Sequence, residues 1–154
     1  MKERFLPDFS GCVKKEPRAA HAVERLWREE LEAVSAYLWR EILIGGQDPA
    51  LTELFEDLAV EAAYRFRFLG GLLTALGGNR SLRSQIRLQD RFQRYGEERL
   101  AQDLLYDSLC QGRRICTRYR EAMEEIEDGV TRSALACLME DLEGLEERLN
   151  RCFG

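Results

Sequence analysis

The three prolines of this chain all lie before residue 50, and none follows. Proline interrupts helices and the centres of sheets, so two thirds of the chain contain no such interruption. These stretches are rich in Leu, Ala, Glu and Arg, which favour helix, and their apolar residues recur at steps of three, four and seven. No run alternates apolar and polar residues for long enough to make a strand. The sequence therefore predicts an all-α protein.

Turn and capping residues divide the chain into four helices. Pro17 suits a first helical turn, and Asp48-Pro49 combines a cap with such a turn. Glycine pairs mark the ends of the first two helices, and Asp128-Gly129 marks a turn at which Asp128 can cap the last helix. The expected helices run from Pro17 to Gly45-Gly46, from Pro49 to about Leu76 before Gly77-Gly78, from about Glu97 to Glu127, and from Asp128 onward.

Each helix carries one stripe expected to face the core. In chain order the stripes are Val23, Leu26, Glu30, Ala33, Tyr37 and Ile44; Leu51, Leu54, Leu58, Ala62, Arg65, Leu69, Leu72 and Leu76; Leu105, Gly112, Ile115, Tyr119 and Ile126; and Ala134, Leu138, Leu142, Leu145 and Leu149.

The lengths of the connections predict the topology. The first and third links are short, so helices 1 and 2 form one antiparallel hairpin and helices 3 and 4 another. The middle link is long enough to travel the length of a bundle. We expect an irregular arm over residues 1–16 and a four-helix bundle over residues 17–154. A continuous bundle without a cofactor fits these patterns as well.

Composition and charge exclude several classes. A chain of 154 residues suits one domain, and its net charge of -5 gives no reason to expect nucleic acid or an anionic membrane as partner. The longest apolar run, Ala134 to Met139, is far too short to span a bilayer, and the first residues lack the apolar core of a secretory signal. We therefore expect a cytoplasmic protein. Five cysteines without a C-x-x-C pair, and a single histidine, do not indicate zinc; we expect reduced thiols packed as small apolar groups.

Several motifs fit one known pattern. Residues 30–37 have the spacing E-x-x-A-x-x-x-Y, and Gly77-Gly78 closes the second helix. With the segment Phe92 to Gly96, Tyr119 and Asp128, the chain resembles the ferritin-like superfamily, in particular its rubrerythrin-related bacterial members. The resemblance covers roughly residues 18 to 152 and implies a ferritin-like bundle, with a long crossover between helices 2 and 3.

The resemblance also implies where a two-metal centre would lie. In the family, two helices each give a Glu and two give Glu-x-x-His, which together bind two iron or manganese ions. In this chain only the first Glu is present, and five of the six ligands are replaced. The corresponding positions are Glu30 on helix 1, Ala62 and Arg65 on helix 2, Gly112 on helix 3, and Leu142 and Leu145 on helix 4. The surroundings retained are Tyr37, Glu61, Tyr119 and Asp141.

Arg65 is the most informative of these positions. It interrupts an apolar stripe between Leu58 and Leu69, and a charge buried alone is costly. In the family, the residues matching Glu30 and Arg65 share one metal. We therefore predict that Arg65 points inward and pairs with Glu30, with Asp141 as a second acceptor. The alternative is that Arg65 turns outward and keeps its guanidinium in water.

One basic stripe lies in the predicted crossover. Its arginines recur at helical spacing, which is typical of a surface for nucleic acid or an acidic partner. The alternative is a solvated face paired with nearby acids, and the acidity of the whole chain favours it. The residues are Arg80, Arg83, Arg87, Arg91 and Arg94.

Two hypotheses for function follow. The first is a non-catalytic ferritin-like protein that has lost most ligands, holds no metal or other cofactor, and has a structural or partner-binding role with another protein or as a homodimer. The second is a protein that binds iron or manganese, or an oxidoreductase, with displaced ligands. Those ligands would be Glu30, Glu61, Tyr64 and Asp141.

Overall fold

The structure, a computed structural model, describes residues 5–78 and 99–153. Within these residues it contains four long helices and no strand, as the sequence predicts. A short 3₁₀ turn, Gly45–Gln47, separates the first two. The helices are α1 (Pro17–Ile44), α2 (Pro49–Ala75), α3 (Leu100–Glu125) and α4 (Gly129–Phe153). None of them is long and apolar enough to cross a membrane.

The first two helices begin where the sequence places their caps. The Glu16 carboxylate accepts from the backbone N–H groups of Arg18 and Ala19, and proline opens the first turn of α1. Asp48 Oδ1 accepts from the N–H of Leu51 at 3.1 Å and caps α2. Each cap satisfies donors that the first turn of a helix leaves unpaired. The predicted role of Asp48 is confirmed.

The other helix ends differ by a residue or two from the expected bounds. α2 ends at Ala75, and Gly77 follows with a φ of 79°, a left-handed conformation that closes helices. α3 ends at Glu125 rather than Glu127, because Ile126 is already extended. Its predicted start at Glu97 lies outside the described residues. Asp128 accepts from both the N–H and the hydroxyl of Thr131, at 2.8 and 2.7 Å, and so caps α4 as predicted.

Named side chains join the neighbouring helices. α1 packs against α2 and α3, and α3 packs against α4. The contacts are Glu30 with Arg65 and Trp27 with Phe66 between α1 and α2, Arg25 with Glu125 and Arg40 with Gln111 between α1 and α3, and Arg113 with Glu146 between α3 and α4.

The core forms where the four predicted stripes meet. Every predicted stripe residue is buried except Leu54, which is half-buried near the start of α2. The expectation for the thiols was wrong in one respect. All five cysteines are free, but four are exposed and only Cys116 is half-buried. They are therefore not core packing groups.

Residues 5–16 contain no helix and lie against α2. The ring of Phe9 packs edge-on against Phe68 with centroids 5.3 Å apart, and Phe9 and Val13 are both buried. The N–H of Glu16 donates to the carbonyl of Leu76 at 3.2 Å. The arm thus adds apolar residues to the core that the sequence patterns did not assign to it.

Candidate functional site: a buried ion pair

Glu30 lies in the middle of α1 and is completely buried, with 0% of its surface exposed. The helical stripe that directs its neighbours Leu26 and Ala33 inward also directs Glu30 inward. A carboxylate in such a place requires a cation or several hydrogen bonds, because burial removes its hydration. The surrounding helices must therefore supply its partners.

Arg65 of α2 supplies the cation. It is 3% exposed, and its Nε lies 3.0 Å from both Oε1 and Oε2 of Glu30. The hydroxyl of Tyr119 on α3 donates to Oε1 of Glu30 at 3.1 Å. Three helices thus converge on one carboxylate. The predicted inward orientation of Arg65 and its pairing with Glu30 are confirmed, and the outward alternative is wrong.

Burial and pairing act in opposite directions on the groups of this site. Complete burial raises the pKa of Glu30 above its usual value of 4.5, and Arg65 and Tyr119 hold back part of that rise. Burial alone would lower the pKa of Arg65, but the charge of Glu30 raises it overall. Burial, and then Glu30, raise the pKa of the Tyr119 phenol. Arg65 is thus held as a cation and Tyr119 as a neutral donor.

The prediction that Asp141 is a second acceptor for Arg65 is wrong. Asp141 lies on the exposed side of α4, whereas Arg65 is buried and directs its Nε to Glu30. The register explains the difference. Leu142 and Leu145 of α4 occupy the inner face, and Asp141 falls at the edge of that face, where its side chain is exposed.

Glu61, an acid that the resemblance places near the expected metal centre, pairs with a second arginine. Arg148 Nη1 of α4 donates to both carboxylate oxygens of Glu61, at 2.8 and 2.9 Å. Both side chains are partly exposed. The sequence did not identify this contact, because Arg148 follows an acidic run on its own helix and could equally pair with those acids. This pair links α2 to α4 as Glu30 and Arg65 link α1 to α2.

The other positions that the ferritin-like resemblance assigns to metal ligands are buried, and Ala62, Leu142 and Leu145 are apolar. Ala62 is completely buried, and Leu142 and Leu145 are almost so. A Cβ on Gly112 would lie 3.0 Å from Cδ2 of Leu145, so these two positions touch. The structure therefore brings Gly112 and Leu145 together at the interface of α3 and α4, without any polar ligand atom.

Tyr37 lies about two helical turns after Glu30 on α1. It is buried, and burial raises the pKa of its phenol. Arg40 lies over its ring, 5.3 Å from the centroid, which is a cation–π distance. The Tyr37 hydroxyl has no hydrogen-bond partner among the described residues. Its position in the core is as predicted, but it does not contact Glu30 by a hydrogen bond in the part of the chain described.

A second buried polar contact lies beside Tyr37. Arg40 Nη1 donates to Oε1 of Gln111 at 2.7 Å, and both residues are buried. Sequence reasoning missed it because Arg40 lies at the edge of the α1 stripe. The signal was available in the spacing, since Arg40 follows Tyr37 by three residues and so shares its face.

The donor set for a metal is not assembled. Nowhere in residues 5–78 and 99–153 do three or more His, Cys, Asp or Glu side chains come close enough to hold an ion. Of the displaced ligands considered above, Glu30 and Glu61 face arginines, and the Tyr64 hydroxyl donates to the carbonyl of Phe5 at 3.3 Å. These side chains point to different partners, so they do not form a common site.

Comparisons with known proteins assign this chain to no family. No protein-family model, curated protein or solved structure matches this chain. The ferritin-like resemblance therefore rests on the motifs of the sequence. The basic stripe from Arg80 to Arg94, and the segment Phe92 to Gly96, lie outside the described residues.

Proposed function

We propose that this chain is a non-catalytic ferritin-like protein of the rubrerythrin-related kind, in which the side chain of Arg65 replaces a metal ion. Its role is structural or partner-binding. The observation that carries the proposal is the contact of Arg65 Nε with both oxygens of Glu30, in full burial. A guanidinium at that place supplies the positive charge that a carboxylate ligand otherwise receives from a metal.

The directions of the helices support a ferritin-like bundle. The end of α2 lies near the start of α1, because the Leu76 carbonyl accepts from the N–H of Glu16. The first half of α3 lies near the end of α1, where Arg40 contacts Gln111. These two contacts support a crossover between α2 and α3, because a crossover joins opposite ends of the bundle.

The charges of the site support the absence of metal chemistry. A divalent ion needs several oxygen or nitrogen ligands, and iron and manganese sites of this kind use carboxylates and imidazoles. Glu30 is bound by Arg65 and Glu61 by Arg148, so both retained acids already have a cation. An incoming metal would have to displace an arginine from one of these acids. The arginine that is paired with Glu30 is buried.

The surface supports a protein partner. Leu38 and Ile42 are one turn apart on α1, and they expose 46% and 68% of their surface. Neighbouring exposed aliphatic residues of this kind are common where proteins associate. A partner or a second copy that covers them would give the chain a role that does not depend on chemistry in its core.

Metal content tests the proposal. Protein produced with added iron and manganese should contain no stoichiometric metal centre and should show no oxidase or peroxidase activity above background. The matched variants are Glu30→Ala, which opens the former site, and Glu53→Ala, an exposed change on α2. A stoichiometric metal content that Glu30→Ala abolishes and Glu53→Ala preserves would refute the proposal and favour the displaced-ligand alternative.

A further inference from the structure

One line of apolar residues follows α1 along its seam with α2. It begins at Trp27, whose ring stacks on Phe66 of α2 with centroids 5.2 Å apart. Leu31 follows and is half-buried, and Leu38 and Ile42 expose 46% and 68% of their surface. Steps of four, seven and four residues keep these four side chains on one side of the helix. This α1 line of Trp27, Leu31, Leu38 and Ile42 has the same spacing from either end.

A second line lies on α2 beside the same seam. This α2 line consists of Glu56, Val60, Ala63 and Arg67, at steps of four, three and four residues. Ala63 precedes Phe66 by about one turn, so the line adjoins the stacked rings. Val60 is 39% exposed, and Glu56 and Arg67 are exposed as well. The α2 line therefore also has the same spacing from either end, but its two ends carry opposite charges.

The midpoints of the two lines lie at the same level of the hairpin. α2 runs back along α1, and the contacts that show this are Glu16 with Leu76, Glu30 with Arg65 and Gly45 with Thr52. Four residues forward from Glu30 and four residues back from Arg65 are residues 34 and 61. The midpoints fall between residues 34 and 35 and between residues 61 and 62. They therefore coincide to within about one residue, or about 1.5 Å.

Two copies of this face fit one another when their helices are stacked antiparallel. A two-fold axis that crosses both lines at their midpoints places Leu31 over Leu38 of the second copy. It also places Ile42 near Trp27 of the second copy. Symmetry repeats each contact, so the same apolar residues cover one another on both sides of the axis.

The charges of the α2 line match the same axis. Glu56 and Arg67 form no ion pair with any residue in the ranges 5–78 and 99–153. The axis places Glu56 beside Arg67 of the second copy, and symmetry gives this pair twice. A copy shifted by one turn along the helices would separate the two charges by about 5 Å more. The charges therefore favour one register.

We propose that this face binds a second copy of the chain, and that the two copies form a symmetric dimer with α1 and α2 stacked antiparallel on their counterparts. The second copy is the occupant because the apolar residues and the charges complement themselves about one axis. The inference rests on the partner-binding role proposed above and names the partner. A monomeric protein without metal would overturn the dimer and leave the replacement of a metal by Arg65 standing.

Analytical ultracentrifugation of the full chain tests the dimer. A reducing agent is required, because four exposed cysteines could otherwise link copies by disulfides. We expect a dimer with a dissociation constant in the micromolar range or below. A parent that is monomeric at about 100 µM, or that forms a larger assembly, would overturn the proposal. The face would then be left to a different protein.

Two substitutions locate the interface. Ile42→Asp buries a charge against Trp27 of the second copy and should abolish the dimer. Val130→Asp makes the same kind of change on α4, at an aliphatic residue that is 44% exposed and outside both lines. It should leave the dimer intact. Circular dichroism checks that both variants keep the helical fold. A dimer that survives Ile42→Asp, or one that Val130→Asp disrupts, would place the interface elsewhere and refute the proposal.

A charge exchange on α2 tests the register with exposed residues alone. Glu56→Lys sets two positive charges beside each other, twice in the dimer, and should weaken association at least roughly tenfold. Glu56→Lys with Arg67→Glu restores opposite charges and should return the dissociation constant to near the parent value. Glu124→Lys, an exposed change on α3, should have little effect. If the double exchange associates no better than Glu56→Lys alone, the proposed axis is wrong.

Discussion

At the scale of single residues, the stability of the core depends on one buried carboxylate, that of Glu30, and on the groups that face it. Glu30 and Arg65 are each too costly to bury alone, and each is tolerated because the other lies at 3.0 Å. Tyr119 adds a third contact, at 3.1 Å. The stability of the site therefore lies in the combination, and a change at one residue leaves the others without a partner.

Replacement of Arg65 tests that dependence. Arg65→Leu should lower the free energy of unfolding by about 3 to 5 kcal/mol, because it leaves Glu30 buried and unpaired. The double variant Glu30→Leu with Arg65→Leu should recover much of the loss. It leaves only the Tyr119 hydroxyl without its acceptor, at a cost of about 1 to 3 kcal/mol. Urea unfolding of the variants measures both effects.

The control for this cycle is Arg113→Leu. Arg113 also bonds a glutamate, but 58% of its side chain is exposed, and exposed pairs contribute little to stability. Its unfolding midpoint should therefore stay close to that of the parent. If Arg65→Leu behaves like Arg113→Leu, the buried pair has no role in stability.

The cost of losing Arg65 should depend on pH. The pKa of Glu30 is already raised above 4.5 in the folded chain by burial, and Arg65 holds part of that rise back. Without Arg65 the folded pKa rises further. An acid with a raised pKa gives stability that is present below its unfolded value and lost as the pH rises through its folded value. The deficit of Arg65→Leu should therefore be larger at about pH 8 than at about pH 5.

Unfolding curves of parent and variant at both pH values measure this difference. Arg113→Leu should show a deficit that hardly changes over the same window, because the hydrogen bond from Arg113 lowers the pKa of Glu146 below its usual 4.5, which lies outside that window. A deficit of Arg65→Leu that shrinks as the pH rises would contradict the raised pKa of Glu30.

The sequence was sufficient to predict the Glu30 and Arg65 pair, because Arg65 interrupts an apolar stripe and the resemblance implies that the residues at these two positions converge. It was insufficient for Asp141 and Arg148. Both lie where the inner face of α4 turns outward, and a shift of one residue there changes burial into exposure. The partner of a half-exposed charge depends on the distance between helices, which periodicity does not fix.

At the scale of helices, the fold depends on where each one starts. Asp48 and Asp128 satisfy the first donors of α2 and α4, and both positions follow directly from the residues beside them. Helix starts were therefore predicted more closely than helix ends. The end of α3 was placed two residues too late, since the turn signal Asp128-Gly129 lies beyond that end and the extended Ile126 is packed in the core.

Removal of one cap tests the start of α2. Asp48→Ala should lower the free energy of unfolding by about 1 kcal/mol, because the N–H of Leu51 loses its acceptor. Asp57→Ala removes the same charge from an exposed position on the same helix and should have a smaller effect. Thermal unfolding, followed by the helical signal in circular dichroism, compares the two variants. Equal losses would mean that Asp48 acts only through its charge.

At the scale of the whole molecule, the four helices share one core but their order in space follows from the contacts of α1. One end of α1 meets the end of α2, and the other meets the first half of α3. The length of the link between α2 and α3 favours a crossover, which stays a prediction. The sequence could not fix which helices touch most closely, because all four stripes are wide enough to face several neighbours.

Distances between spin labels test this arrangement. After the five native cysteines are replaced by serine, labels at the exposed Thr74 and Gln102 should lie on the order of 40 Å apart, since a full helix length separates them. Labels at Thr74 and Arg18 should lie much closer, because the end of α2 adjoins the start of α1. Similar values for both pairs would contradict a crossover.

The cation beside Glu30 is attached to the chain by covalent bonds, and this has a consequence for the folding equilibrium. A protein completed by a dissociable ion gains stability in proportion to the logarithm of the free ion concentration, by mass action. Arg65 cannot dissociate, and it is present at one equivalent whenever the chain is synthesised. The stability gained from this contact is therefore the same in scarcity and in excess of metal, and a chelator has nothing to withdraw from it.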